Sequence, residues 1–596
     1  MTIRSCPTAG RTRNLMRKQN YPGQTMDLTR RRLLATMPPL ALGACSTPAK
    51  PMADIVLTGG EIHTVDANDR RVSAIAVQAN QIIAVGSDDE IAQFVSPETR
   101  QFSLDGRTVL PGINDSHLHL LGWAHSRPPF SLDLSFPNAK SIADCVTQVA
   151  TQAKSKPKGE WILGRGWDQP YFEEGRAPTA QDLDAVSPDH PVALTEFSGH
   201  AIWVNSAALK IAGITADTVP PVGGVIVKDE QGQPSGLLFE GAAWAVREVI
   251  PAPTAEQNKA ALRSAMSLML ANGVTSCTVP GQTPEILRQM DELAAEAITA
   301  KLRVTGLVRS PDSLAGLTET LKAFDQLSAD NPLWFQLPGV KIMGDGIPTG
   351  NKTAWLHEPY VGGGNGSLLI AGDSHEERVA ELNRMVDLIH ARGLQIGTHV
   401  TGDRSIDTII DAYERVQSAG KKADPRHYII HGDLVSPETF ATMAKYKIGA
   451  NLNPEIKHLI ADGQVAALGA ERAAYEFPFR TGLDQGVVVA SSSDAPVTEG
   501  NWLQGIATCM DRKGKQTGQV SGPEQRISLD DAIRTYTWAG AWQDRADHYK
   551  GSLEVGKMAD LCVLDERLSA ISTEKMASIN VSLTLVDGNL VHDELG

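Results

Sequence analysis

Thr108-Val109-Leu110-Pro111-Gly112-Ile113-Asn114-Asp115-Ser116-His117-Leu118-His119 reads as a strand that delivers two histidines. Residues 108–113 are an apolar run of strand length, and the polar residues after it carry imidazoles at i and i+2. In extended backbone such residues point to the same side, so both rings can grip one ion. Imidazole is a good zinc ligand. An HxH pair means little alone; its place at the end of a strand gives it weight, because barrel enzymes gather their chemistry at the C-terminal ends of strands.

Seven further candidate strands follow, at 273–279, 303–308, 340–343, 394–399, 427–431, 448–452 and 487–491. Amphipathic helices are expected between them, at 284–300, 375–392, 404–418 and 437–446; in the second, Val379, Leu382, Met385, Val386 and Ile389 recur with helical period. Alternating β and α predicts a parallel sheet, and eight units predict an α/β fold of the (β/α)8 TIM-like barrel type, here spanning 109–124 and 271–550. An open doubly wound sheet is the competitor, but no GxGxxG opens a helix. Residues 125–270 are too long for a βα loop and read as a subdomain inserted at the barrel mouth; they contain Gly164-Arg165-Gly166-Trp167-Asp168 and the His200 motif Ser198–Asn205. Strand-like runs at 53–108 and 551–596 predict a small β-sandwich built from both termini.

Four more candidates fall at strand ends: Lys341 on the fourth, His399 on the fifth, His431 on the sixth and Asp494 after the eighth. His63, His190, His375, His427, His458, His548 and His592 sit in turns, helices or polar stretches and are expected to be mostly solvated, while His125, His200 and His357 could face the mouth.

The net charge of −15 hides an asymmetry. The first 44 residues carry eight Lys/Arg and one acid, so the remaining body is near −22 and a poor nucleic-acid partner. Thr29-Arg30-Arg31-Arg32-Leu33-Leu34 reads as a twin-arginine export signal, and Leu42-Gly43-Ala44-Cys45 resembles a bacterial lipobox. Residues 1–45 are therefore expected to be a signal, with Met26 a plausible start, and the protein an envelope lipoprotein, periplasm-facing or at the outer membrane and anchored through a lipid on Cys45. The apolar stretch is too short to span a membrane. Cys145, Cys277, Cys509 and Cys562 form no CxxC pair and read as buried, unreactive thiols.

The 108–119 stretch, with Val340-Lys341-Ile342-Met343-Gly344-Asp345-Gly346, His399-Val400-Thr401-Gly402-Asp403, Ser493-Asp494-Ala495-Pro496-Val497 and Gly551–Leu561, resembles the amidohydrolase superfamily. Within it, the similarity is to the branch that includes N-substituted formamide deformylases. The resemblance implies a metal-dependent hydrolase of a non-peptide C–N bond in a small molecule. It implies two divalent ions, zinc with manganese or iron as alternatives: His117, His119 and Asp494 on one, His399 and His431 on the other, and Lys341 bridging them as a carbamate. Asp494 would move the proton, His431 or His200 would assist the oxyanion, and Asp345 and Asp403 would orient ligands. Lys341 as a plain cation beside Asp345 or Asp403, with a single metal, stays open. So do a mononuclear deaminase, a non-catalytic binding lipoprotein, and a homodimer. Where the family often shows Gln-Pro-x-His, this chain has Asn451-Leu452-Asn453-Pro454-Glu455-Ile456-Lys457; Lys457 or Glu455 either gives the pocket a different polarity or, the favoured reading, is a solvated loop charge. The run 361–366, with Trp355 nearby, reads equally as a lip over the pocket or a plain loop.

Overall fold

The computed structural model describes residues 51–197, 199–221, 224–296, 301–349, 352–419 and 424–595, so the expected signal and the expected lipid anchor at Cys45 lie outside the described residues. An eight-stranded parallel sheet forms the centre, its strands adjacent in chain order. They are β1 (Ile113–Asp115), β2 (Val274–Gln282), β3 (Arg303–Arg309), β4 (Phe335–Met343), β5 (Gln395–Val400), β6 (Tyr428–His431), β7 (Gly449–Leu452) and β8 (Val489–Ser491). Strands β5 to β8 are buried along their whole length, as parallel strands covered on both faces must be. β8 and β1 share no ladder, yet the backbone closes the seam: Asp494 N–H donates to His117 O at 2.9 Å and His119 N–H to Ala495 O at 2.8 Å.

The helices start where their caps dictate. Ser374 and Ser436 accept the N–H groups of Glu377 and Thr439, and Thr283 caps a helix that begins with Pro284. The helix expected at 284–300 runs Pro284–Ala295. Ile406, Ile409, Ile410, Tyr413 and Val416 of helix Asp403–Ala419 are buried in the barrel's core.

The run 108–113 is not one strand. Thr108–Pro111 pairs with Glu61–His63 and Leu561–Leu564 in a sheet of terminal strands, and only Ile113–Asp115 belongs to the barrel. The break falls at Gly112, where a Cβ would meet Thr275 Oγ1 at 2.1 Å. That six-stranded sheet packs against a four-stranded one, Ile55, Leu57, Ile75 and Val77 facing Val109, Leu561, Val563 and Leu583. A third, six-stranded sheet lies between β1 and β2 and carries the insert. Helix Leu120–His125, leading into the insert, packs on helix Ala255–Ala271, leading out of it; His125 Nε2 lies 2.9 Å from Asn258 Oδ1.

Candidate metal centre

The strand ends bring the sequence candidates together. β4 and β5 run in register with Met343 beside His399, and β5 and β6 with Val400 beside His431. Asp494, three residues past β8, is the hub: its Oδ1 lies 3.0 Å from His117 Nε2 and 3.2 Å from His119 Nε2. Ligand atoms of His117, His431 and Asp494 all fall within 4.8 Å of one another, and all three residues are buried. The ring of His399 lies 4.4 Å from that of His431. His119 is the exposed member, its side chain 44% accessible.

Burial dominates the electrostatics. It pushes the His117 imidazole down to about 3 and that of His399 to about 4, with Lys341 adding to the effect. His431 is driven well below its usual value by burial and by His399. Burial pulls Asp494 the other way, but His117, His119 and His431 prevail and hold its carboxyl well below the usual range. Lys341 is 3% exposed and its Nζ has no hydrogen bond or ion pair among the described residues; burial lowers its amine to about 7. It therefore pairs with neither Asp345 nor Asp403.

The positioning residues come from polar chains across the barrel. Asn453 precedes helix Pro454–Leu468, where an asparagine ordinarily caps the helix with its side chain, but here it makes no cap bond. Its amide is spent on the site: Nδ2 donates to Ser492 Oγ at 2.8 Å, and Oδ1 lies 2.7 Å from His431 Nδ1. Ser492 Oγ in turn donates to Asn451 Oδ1. This direction of donors makes Nδ1 the protonated nitrogen of His431 and leaves Nε2 with its lone pair. His399 Nε2 is occupied by Gly346 O at 3.1 Å, which leaves Nδ1 as its ligand atom. Asp115 accepts from Ser493 N at 3.1 Å and Ser493 Oγ at 2.5 Å, fixing the residue before Asp494 to the end of β1; burial raises its carboxyl to about 6. Asp345 accepts from the backbone N–H groups of Trp355, Thr401 and Gly402 and from Ser405 Oγ, and so shapes the loop after His399. Asp403 instead accepts from His357 N.

Several expectations need correction. Glu455 and Lys457 are buried in the first turn of a helix. Glu455 Oε2 accepts from Thr498 Oγ1, Gly500 N and Asn501 N, and Lys457 Nζ donates to Ala473 O. Of the histidines expected to be mostly solvated, His63, His190 and His427 are buried, and only His375 and His548 are exposed. His200 is exposed on the insert with Nδ1 3.0 Å from Glu240 Oε1, and the cluster is assembled without it. Asn453 and Asp115 were not singled out by sequence. The signals available were Asn-Pro opening a helix and an aspartate two residues before His117, and neither names the distant partner.

The donor set suits a divalent cation. Asp494 Oδ1 and His117 Nδ1 are buried without a hydrogen bond, although imidazole nitrogens surround the carboxylate. Nitrogen and carboxylate donors at this spacing are what such ions take. Comparisons with known proteins show what the chain resembles. Protein LONG AFTER FAR-RED 3 of Arabidopsis thaliana is 30% identical over 561 residues, 92% of this chain and 94% of that protein. The N-substituted formamide deformylase of Arthrobacter pascens is 27% identical over 555 residues, 91% of this chain and 99% of that one. In fold, the chain is similar to an uncharacterized metal-dependent hydrolase from Pyrococcus furiosus, with TM-score 0.67, 24% identity and coverage of 86% and 99%. The profile of the amidohydrolase family matches residues 101–592, and the chain, a hydrolase with a candidate centre for a divalent metal, belongs to that family.

Proposed function

We propose that this protein hydrolyses a non-peptide C–N bond, an amide, N-acyl or N-formyl group, in a small molecule. The observation that carries the reading is the Asp494 carboxylate, buried at the barrel mouth between the imidazoles of His117 and His119. In this proposal His117, His119 and Asp494 hold one divalent ion and His399 and His431 a second, with Lys341 carboxylated on Nζ as the bridge. Zinc is the metal of choice, with manganese and iron the alternatives. A lysine that is buried and unpaired, its amine lowered toward neutrality, is suited to adding CO2. A divalent ion there lowers the pKa of water and polarises a carbonyl.

The chain's own residues do the rest. Asp494 takes a proton from the attacking water and returns it to the departing nitrogen. Asn453 keeps His431 in the tautomer that turns Nε2 to the cluster, and Asp115 keeps Asp494 at the seam. Elemental mass spectrometry on the purified protein and on Lys341→Ala, with an amide and formamide panel, tests the reading. About two ions per chain, falling in the variant, together with turnover, is the expected result; a metal-loaded protein that cleaves no amide overturns it. We further propose export and lipid anchoring through Cys45, which radiolabelled palmitate incorporation, lost in Cys45→Ala, checks.

A further inference from the structure

The Gly164-Arg165-Gly166-Trp167 run of the insert plays no part in the cluster, yet its backbone is built around Arg165. A Cβ at Gly164 would come within 2.8 Å of Leu194 and 2.9 Å of Leu134, and Gly166 stands at φ +103 with Ser135 3.0 Å from where a Cβ would lie. Trp167 is buried, its indole N–H donating to Leu194 O at 2.8 Å. Between Arg165 and Trp167 the pairing register with strand Val192–Glu196 shifts. Bulges of this kind re-aim side chains. The side chain left over is the half-buried guanidinium of Arg165, with no hydrogen bond and no ion pair among the described residues.

Its charged neighbours belong to the rim of the metal centre. They are Glu499, in the loop that follows Asp494, and Arg127, just past the helix that begins after His119. These two are joined at 3.0 Å, and Arg127 also lies 4.5 Å over the Trp123 ring. Arg247 is the third cation, its Nη2 donating to Gly199 O at 2.6 Å. Trp123 Nε1, buried beside Gly500 on the same rim, has no hydrogen-bond partner. A partly desolvated guanidinium whose neighbouring carboxylate, Glu499, is already paired with Arg127 costs free energy until an anion joins it, and a planar guanidinium matches a carboxylate through two parallel N–H···O bonds.

We propose that Arg165 selects substrates that carry a carboxylate in addition to the scissile C–N bond, pairing its guanidinium with that carboxylate at the barrel mouth. This rests on the hydrolase reading above and narrows its substrate class to anionic amides.

The test uses the metal-loaded full chain and N-methylsulfonyl amino acids, whose sulfonamide replaces the scissile amide, against their neutral methylamides in calorimetric titrations. The acid is expected to bind at least tenfold more tightly than its methylamide. In Arg165→Gln that ratio falls to about one, and in Arg165→Lys, which keeps the charge without the fork, it lies between. Equal binding of the two by the parent protein, binding of neither, or a ratio retained in Arg165→Gln overturns the proposal. Unfolding midpoints recorded first identify a folding defect, in which case the parent ratio and Arg165→Lys decide. Hydrolysis of the matching N-acyl amino acids separates the two readings. Acid-selective binding without turnover keeps the role of Arg165 and overturns the reaction; turnover of acid and methylamide alike, without selective binding, overturns Arg165 alone.

Discussion

Replacing Asn453 by alanine removes the group that orients His431 through Nδ1. Three contacts go, the 2.7 Å contact to His431 Nδ1, the 2.8 Å bond to Ser492 Oγ and a longer one to Ser492 O at 3.5 Å, all in buried surroundings. A buried donor left without an acceptor costs about 1–3 kcal/mol, and the second contact about 1 kcal/mol more. The helix it precedes loses nothing further, because the Asn453 side chain makes no cap bond. Urea unfolding of the metal-free protein should therefore show a loss of about 2–4 kcal/mol. Metal affinity, read by competition with a chromophoric chelator, should fall about 10–100-fold, since removing the partner of a ligating histidine releases its tautomer and orientation. Asn453→Asp separates the two effects. Its carboxylate still accepts from Nδ1 but cannot donate to Ser492, so stability drops while metal affinity stays within a few-fold of the parent. A destabilised Asn453→Ala with metal affinity unchanged within threefold, or an Asn453→Asp as poor in metal as the alanine variant, would refute the orienting role.

Glu455 predicts a pH signature: burial, with Asp115 adding to it, lifts its carboxyl from 4.5 to about 8. The folded protein then keeps a proton that the unfolded chain releases, so this contribution is complete below pH 4.5 and lost as the pH rises through 8, with a slope of up to about 1.4 kcal/mol per pH unit. Glu455→Gln should gain on the parent progressively over that interval in urea titrations; parallel profiles would sink the assignment. Asp115→Ala removes the acceptor for Ser493 N and Oγ and should cost about 3 kcal/mol, against about 1 kcal/mol for Asp115→Asn, which keeps one acceptor; equal losses would mean that the β1–β8 seam does not depend on this carboxyl. Cys145, Cys277, Cys509 and Cys562 are buried and unpaired, and burial pushes Cys145, Cys509 and Cys562 to about 12 and Cys277 well above its ordinary value. A thiol reagent at pH 8 should label these four only after denaturation, as peptide mapping would show.

The candidate ligands were legible because each stands at the end of a short apolar run, a signal confined to a few residues. Misreadings arose where identity depends on distant chain. The run 108–113 has the polarity of one strand, and it divides between two sheets at Gly112, where distant Thr275 leaves no room for a Cβ. His427 lies in a polar-looking stretch but is enclosed, with His390 Nδ1 2.9 Å from its Nε2 and Ile396 N–H donating to its Nδ1. Glu455 and Lys457 looked like loop charges because their partners lie far along the chain: Thr498, Gly500 and Asn501 for the first, Glu476 and Ser521 for the second. A buried charge is tolerated only with such partners, and spacing in sequence does not reveal them.

How the ligands are aimed was the least legible feature, and it is where the fold gives up stability. His431 and Asp494 both stand in left-handed backbone, at φ 76 and φ 58. That conformation costs a residue with a Cβ about 1–2 kcal/mol, and the cap bond that Asn453 does not make forgoes about 1 kcal/mol more. Nothing in the apolar core requires either sacrifice, since His431 is the last residue of β6 and Asp494 lies three residues past the end of β8. The strain is spent instead at the two residues whose donor atoms must converge with those of His117, which is where strained backbone is expected to serve function. A cation bound at one hundred times its dissociation constant returns about 2.7 kcal/mol to the folded state, enough to offset most of that cost. The chain of Asn451, Ser492 and Asn453 behind His431, and Asp115 behind Asp494, therefore serve an aimed set of candidate ligands that is unfavourable until a cation joins it.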